Sequence, residues 1–403
     1  MLIVMWFTMR PAIQYSDGVV SQQRLYFTLS MWFAFDLFAF WGSDWFHLYV
    51  AYQDIMQGTP IVEKTYTWIA RNLAPNNYIL FRGIVWGLAQ ILLWDTFKRL
   101  SISTHLVLAL FVSIWLIWFS FGRVSLAMAL AFWGMAFYYR SHSIPILPKI
   151  VGISAIIASF YLHKSAIFLI LVAILSILTK RFNKITFAIC LVIFPILIQL
   201  MSEGFLDMIL FTMTDRLEDL DNYILKAKYY MDTESDNHGI GPLIGMLLEK
   251  IPYYLITVLG LFAIYNNNNS SEYENYADSE EAKGYEENNE CIEEEDTEIV
   301  NMEENAEYQE YSIPEDIKVY IRALFFIVLL SSFLLINTKS TSNTQVLFDR
   351  FIKFSMIPSA IVLAYLLDNY KYVRYAWWTY CLALLGTCYQ MIYMLYCSIT
   401  NSR

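Results

Sequence analysis

Charged and titratable residues break this apolar chain at a few places, and those places are where its chemistry is expected. Gly122 and Arg123 stand at the mouth of an apolar run from Val124 to Tyr139, and His163, Lys164 and Ser165 interrupt a second one. A charge within a membrane segment costs about 2.5 to 3.5 kcal/mol on insertion scales, so one that is kept usually has a partner or a task. The stretch from Phe121 to Ser165 therefore predicts a cationic site for an anionic ligand or lipid headgroup. Arg350, Arg216, Asp44 and Glu63 are further charges, in loops between apolar runs, and Tyr49 and Tyr66 are aromatic neighbours of two of them.

The elements that must hold these residues are predicted to be membrane helices. The 403 residues are 57% apolar, 17% aromatic and only 16% charged, beyond an ordinary soluble domain. Apolar runs of membrane length recur from residue 24 to residue 397. The fold class expected is all-α, a polytopic transmembrane bundle with spans over 24–41, 78–97, 104–121, 124–139, 150–162, 164–179, 184–200, 241–264, 319–337, 354–369 and 376–397. That is eleven spans, or ten if 150–179 is one tilted helix.

Residues 265–318 hold 19 acidic residues against 2 lysines, a balance of −17. With −10 overall, the rest of the chain carries +7. The chain divides accordingly into a membrane region over 1–264, an acidic insert over 265–318 expected to be disordered, and C-terminal spans over 319–403. A single helix over 150–179 places His163 and Lys164 in mid-bilayer, whereas two short helices place them at a surface turn. Arg140 and Lys149 before this stretch, and Lys180, Arg181 and Lys184 after it, favour two passes with both ends in the cytoplasm.

With the amino terminus inside, two passes gather loop 42–77, Arg123, His163, Lys164, loop 201–240 and Arg350 on the outer side. A carrier needs polar groups near the midplane reachable from both faces, so this asymmetry favours chemistry at one surface. Both loops are predicted to form amphipathic interfacial helices, and 201–240 is a candidate lid. The five cysteines show neither CxxC nor metal-ligand spacing. The first nine residues are too short for a span and show no cleavage signature.

Several stretches resemble the EpsG family of bacterial membrane proteins, relatives of Wzy-type polysaccharide polymerases. Gly42-Ser43-Asp44-Trp45 followed by Tyr49 is similar to that family's Gly-Thr-Asp-Tyr motif. Glu63 with Tyr66 stands where the family has a Glu before an aromatic and a long helix. Arg123 opens an Ala-rich helix, Phe160-Tyr161-Leu162-His163-Lys164-Ser165-Ala166 resembles Phe-His-x-Ser-Ala, and Asp349-Arg350-Phe351 matches an Arg before the last two spans. The likeness runs in order over most of the chain. The acidic insert and the Asp36-containing first span depart from it.

The resemblance implies an inner-membrane glycosyltransferase that joins undecaprenyl-diphosphate-linked oligosaccharide repeats at the periplasmic face. Expected partners are that lipid-linked oligosaccharide, the lipid bilayer, and flippase and chain-length regulator proteins, with no nucleic acid. The reaction needs a cation for the developing diphosphate charge and an acceptor for the proton of a sugar hydroxyl. Arginine's planar fork suits the first need, which points to Arg123 and Arg350, with Arg216 third; an interfacial arginine also snorkels to headgroups with no other task. Asp44, Glu63 and His163 are candidates for the second, with capping of interface helices or binding of sugar hydroxyls as the alternative roles of Asp44 and Glu63. Beside Lys164, the His163 ring is expected to lose basicity, leaving a proton acceptor, a diphosphate donor or simply a satisfied helix end. Lys164 either assists the anion or snorkels. Trp45, Tyr49 and Tyr66 either stack on sugar rings or belong to an ordinary aromatic belt.

No cofactor is expected. Lipid diphosphate is already a good leaving group, and Asp219-Leu220-Asp221 lacks the nucleotide-sugar domain that a metal-binding DxD motif serves. The rival readings are a lipid-linked oligosaccharide flippase, which calls for inverted repeats that the sequence does not show, and another polyprenyl-carrier transferase or ligase.

Overall fold

The computed structural model describes residues 27, 30, 43–58, 64–115, 124–140, 146–163, 165–179, 250–266, 313–336, 351–369 and 371–400. Among the described residues there are helices and short turns and no strand. The all-α expectation is met at that level. The predicted spans 24–41 and 184–200 and the loop 201–240 lie outside these residues, as does most of the acidic insert.

Two short helices, α1 (Ser43–Met56) and α2 (Lys64–Asn72), precede α3 (Tyr78–Lys98). Asn77 caps α3, its side chain accepting the Leu80 N–H at 2.9 Å. That satisfies one of the four N–H groups a helix start leaves unpaired. Along α3, Tyr78, Arg82, Trp86, Ala89, Leu93 and Phe97 recur every three or four residues and form its buried stripe. By length and composition α3 is the one described helix long and apolar enough to cross a membrane. Next comes α4 (Thr104–Leu110), which continues into a π-turn over Phe111–Trp115. The Thr387 hydroxyl lies 3.3 Å from the Ile114 carbonyl in this turn and 3.0 Å from the Ala383 carbonyl of its own helix, sharing its proton between them.

The central pair is α5 (Val124–Arg140) and α6 (Ile146–Leu162). Gly134 and Gly152 let their backbones touch. A Cβ on either would lie 2.6 Å from the other's carbonyl oxygen. Gly134 also faces Ala155 and Ile156, while Gly152 faces Tyr138. The pair therefore runs antiparallel, and the Val124 end of α5 lies level with the last turn of α6.

After a break at His163–Ser165 comes α7 (Ala166–Leu178). This is the two-helix alternative for 150–179. The remaining described helices are α8 (250–266), α9 (Glu315–Ile336), α10 (Met356–Asp368) and α11 (Val373–Thr400).

Polar contacts define one end of the bundle. Ser101 N–H donates to Asp316 at 2.7 Å, tying the chain after α3 to the start of α9. Buried Arg322 donates to the Thr179 carbonyl at 3.0 Å, tying the end of α7 to the same helix. Asn266 donates to the Tyr372 hydroxyl at 3.1 Å, joining the end of α8 to the start of α11. Thus α9 leaves from the end that α3 and α7 reach.

Three helices start earlier than their apolar runs: α6 at 146 instead of 150, α9 at 315 instead of 319, and α11 at 373 instead of 376. Pro148 falls in the first turn of α6, where its missing N–H removes no helical bond. Glu315 and Asp316 occupy the first turn of α9, where negative charge is favourable.

Asp95 joins α3 to α5. One of its oxygens accepts Trp133 Nε1–H at 2.6 Å and Arg99 Nε–H at 2.7 Å, while the Arg99 guanidinium lies 4.0 Å over the Phe137 ring. Asp95→Ala leaves the indole donor without this acceptor and is expected to cost about 1 to 3 kcal/mol. Thermal unfolding checks this. A combined Asp95→Ala, Trp133→Phe variant should recover part of the loss, because donor and acceptor then leave together; an unchanged melting temperature in Asp95→Ala would show the contact to be idle.

Candidate functional site at the His163 turn

Four chain junctions meet at the end of the bundle opposite Asp316. The Gly134–Gly152 register brings the start of α5 level with the end of α6. The first turn of α2 joins them, Thr65 Oγ1 donating to the Tyr161 carbonyl at 3.2 Å. Phe168, in the first turn of α7, stacks on Phe351 with ring centres 4.5 Å apart and 17° between planes, and on Phe354 at 5.6 Å. That stack fixes the chain entering α10 beside the His163 turn.

The sequence candidates distribute themselves around these junctions. Glu63, Arg123, Lys164 and Arg350 lie outside the described residues, but their chain neighbours Lys64, Val124, His163 with Ser165, and Phe351 all belong to this end. Arg216 also lies outside, with no described neighbour nearby in sequence. Asp44 falls in the first turn of α1, its side chain outside the described set.

His163 is half-buried. Its Nδ1 lies 2.6 Å from Ser165 Oγ and 3.3 Å from the Ser165 backbone nitrogen, whose N–H points at it. A backbone N–H can only donate, so Nδ1 must present its lone pair. The neutral ring therefore carries its proton on Nε2. Ser165, noted in the sequence only as part of a motif, thus sets the tautomer of its neighbour.

No protein-family model, curated protein or solved structure matches this chain.

The two tyrosines part company. Tyr66 is 2% exposed and presents its ring edge to Phe81 at 6.3 Å, within a cluster that includes Tyr52, Ile55, Ile69, Ala70, Ala74 and Tyr78. The Tyr52 hydroxyl donates to the Ala74 carbonyl, and the Arg71 guanidinium donates to the Ile55 carbonyl. Burial holds the Tyr52 phenol above its ordinary pKa, so it stays a donor. This cluster clamps α1 and α2 onto the start of α3, and a ring so enclosed offers no face for a sugar. The earlier alternative of Tyr66 as a sugar platform is therefore corrected to packing. Tyr49 is 37% exposed and meets Tyr78 edge-on at 5.2 Å, which leaves part of its ring accessible.

Arg82 carries no assignment from the sequence, although a charge inside the run 78–97 is the same signal that singled out Arg123 and His163. Its residue is only 5% exposed, and its Nη1 meets no hydrogen-bond acceptor among the described residues.

Proposed function

We propose that this chain is a polytopic membrane glycosyltransferase of the polysaccharide-polymerase type, acting on undecaprenyl-diphosphate-linked oligosaccharide at the outer face of the bacterial inner membrane. The observation that supports this reading is that Lys64, Val124, His163 with Ser165, and Phe351, the described chain neighbours of the candidate charges, lie at one end of the bundle. Lys64 and Phe351 stand nearly three hundred residues apart in sequence. Their convergence is what a single active centre requires.

The outward faces support a membrane setting. On α6, Ile146, Ile150, Ile153, Ile157 and Tyr161 are exposed at helical spacing; α8 shows Ile251, Leu255, Val258 and Phe262, and α11 shows Tyr375, Trp378, Leu385 and Ile392. Exposed apolar stripes on several helices at once are rare on a soluble monomer, and lipid is the solvent that suits them.

In this mechanism Arg123 and Arg350 hold the diphosphate of the donor, where negative charge grows as the anomeric carbon–oxygen bond breaks. The acceptor hydroxyl of a second lipid-linked unit attacks that carbon from the opposite side, which inverts it. Its proton passes to a carboxylate, Asp44 or Glu63. The His163 tautomer argues against its taking that proton: Nδ1 is engaged by Ser165 and Nε2 already carries a proton, so the ring acts as a donor.

His163→Ala is then expected to slow extension about 10- to 100-fold, the worth of one hydrogen bond to a charged group. His163→Gln, whose amide can still donate, should stay within about tenfold of the natural sequence. Rate assays on both check this, and equal loss in both with retained binding of the lipid diphosphate would make the ring the base instead.

The function itself is tested with purified protein in lipid, given the lipid-linked repeat unit of its own organism and no nucleotide sugar. Growth of glycan length supports the reading. Movement of labelled lipid across the bilayer without growth overturns it in favour of a flippase.

A further inference from the structure

We propose that Arg82 is a phosphate-binding residue of the same centre, donating from Nη1 to an oxygen of the polyprenyl diphosphate. This rests on the polymerase reading for its ligand and on described residues for its geometry. Two independent routes place Arg82 at the His163 end. Asp95 with Trp133, and Arg99 with Phe137, are contacts between α3 and α5 that share one offset of 38 residues. The same offset puts Trp86 level with Val124. Arg82 then lies one turn further along, about 6 Å, at the level where the start of α5 meets the end of α6. Separately, α2 touches Tyr161 through Thr65 and Phe81 through Tyr66. The first turn of α2 thus borders both the His163 turn and the α3 turn that carries Arg82.

The surroundings of Arg82 set what it can bind. It belongs to the buried stripe of α3, between Tyr78 and Trp86, and the Tyr78 hydroxyl one turn before it is its hydrogen-bonding neighbour. That phenol orients one side of the fork. The other side, Nη1, is shielded from solvent with no acceptor among the described residues. A guanidinium so enclosed is costly unless an acceptor completes it, and an anionic oxygen is the acceptor it matches best. Carbohydrate hydroxyls match it less well, since the fork is built for paired, charged oxygens.

The test uses the full chain in phosphatidylcholine nanodiscs, titrated with geranylgeranyl diphosphate and followed by tryptophan fluorescence. Arg82→Gln is expected to weaken binding at least tenfold, Arg82→Lys by less, and Tyr78→Phe by two- to fivefold through loss of orientation alone. Without ligand, Arg82→Gln should melt at or above the temperature of the natural sequence, because an uncompensated buried charge has been removed.

Unchanged affinity in a folded Arg82→Gln variant overturns the proposal. So does a lowered ligand-free melting temperature with normal affinity, which marks an arginine paired inside the protein. Inorganic pyrophosphate should compete, whereas equal competition by phosphatidylglycerol overturns the proposal in favour of simple headgroup anchoring. The two readings fail separately: Arg82-dependent binding without glycan growth removes the polymerase and keeps the phosphate site, while growth that ignores Arg82→Gln removes the site and keeps the polymerase.

Discussion

Gly134→Ala is expected to destabilise the protein by about 1 to 2 kcal/mol and to lower activity with it, although alanine is the better helix former. Two effects of opposite sign compete. In the interior of a helix the change from Gly to Ala ordinarily stabilises by about 0.5 to 1 kcal/mol. Against it stands a methyl group placed 2.6 Å from the Gly152 carbonyl oxygen and 2.9 Å from an Ile156 carbon. The first of these is backbone and has no rotamer to escape into, so α5 and α6 must move apart. Overpacking of this kind costs about 1 to 3 kcal/mol and sometimes more, which decides the sign.

The mirror change, Gly152→Ala, meets the Gly134 oxygen at 2.6 Å and the Tyr138 backbone nitrogen at 2.9 Å, and should behave alike. Because both methyl groups force the same separation, the double variant should cost less than the two single losses added together. Thermal unfolding in lipid measures all three. A melting temperature equal to or above that of the natural sequence in Gly134→Ala would show that the helices are not in backbone contact. Activity should fall with stability, since the separated helices are the ones whose ends carry Arg123 and His163.

How far the sequence foretold this arrangement depended on which physical signal each part emits. The break between α6 and α7 was legible because His163 and Lys164 are polar inside an apolar run, and polarity is visible residue by residue. Helices α6 and α9 start before their apolar runs because Pro148, Glu315 and Asp316 are polar or helix-breaking residues that a first turn accepts. The π-turn at Phe111–Trp115 gave no compositional sign at all, and the Thr387 hydroxyl that reaches its Ile114 carbonyl is 273 positions away. Tyr66 shows the same limit from the other side. Its type suits both a sugar platform and a core, and only the approach of Phe81 decides between them. Arg82 was legible in principle, as a charge in an apolar span, and its burial against Tyr78 makes it the better-defined cation among the described residues of that end.

The largest effect expected on activity is that of Arg123→Ala, a loss of glycan extension by two to four orders of magnitude with little change in melting temperature. Removing one donor aimed at a developing anion typically costs about 10²- to 10³-fold, and an interface that has expelled water raises that further. Stability should barely respond, because Arg123 precedes the first residue of α5 and the packing of that helix begins at partly buried Val124 and buried Leu126. Arg123→Lys should recover only a small part. An ammonium supplies charge without the paired, coplanar donors that two phosphate oxygens engage.

Arg350→Ala should resemble it, but with the aromatic anchor intact, since Phe351 and Phe354 still stack on Phe168. Phe351→Ala should instead lower activity and stability together, because it frees the chain that carries the charge. Steady-state extension rates beside thermal unfolding separate these patterns. An Arg123→Ala protein that extends glycans normally would move the anion-binding role away from the start of α5, leaving Arg82, Arg350 and His163 to hold the diphosphate.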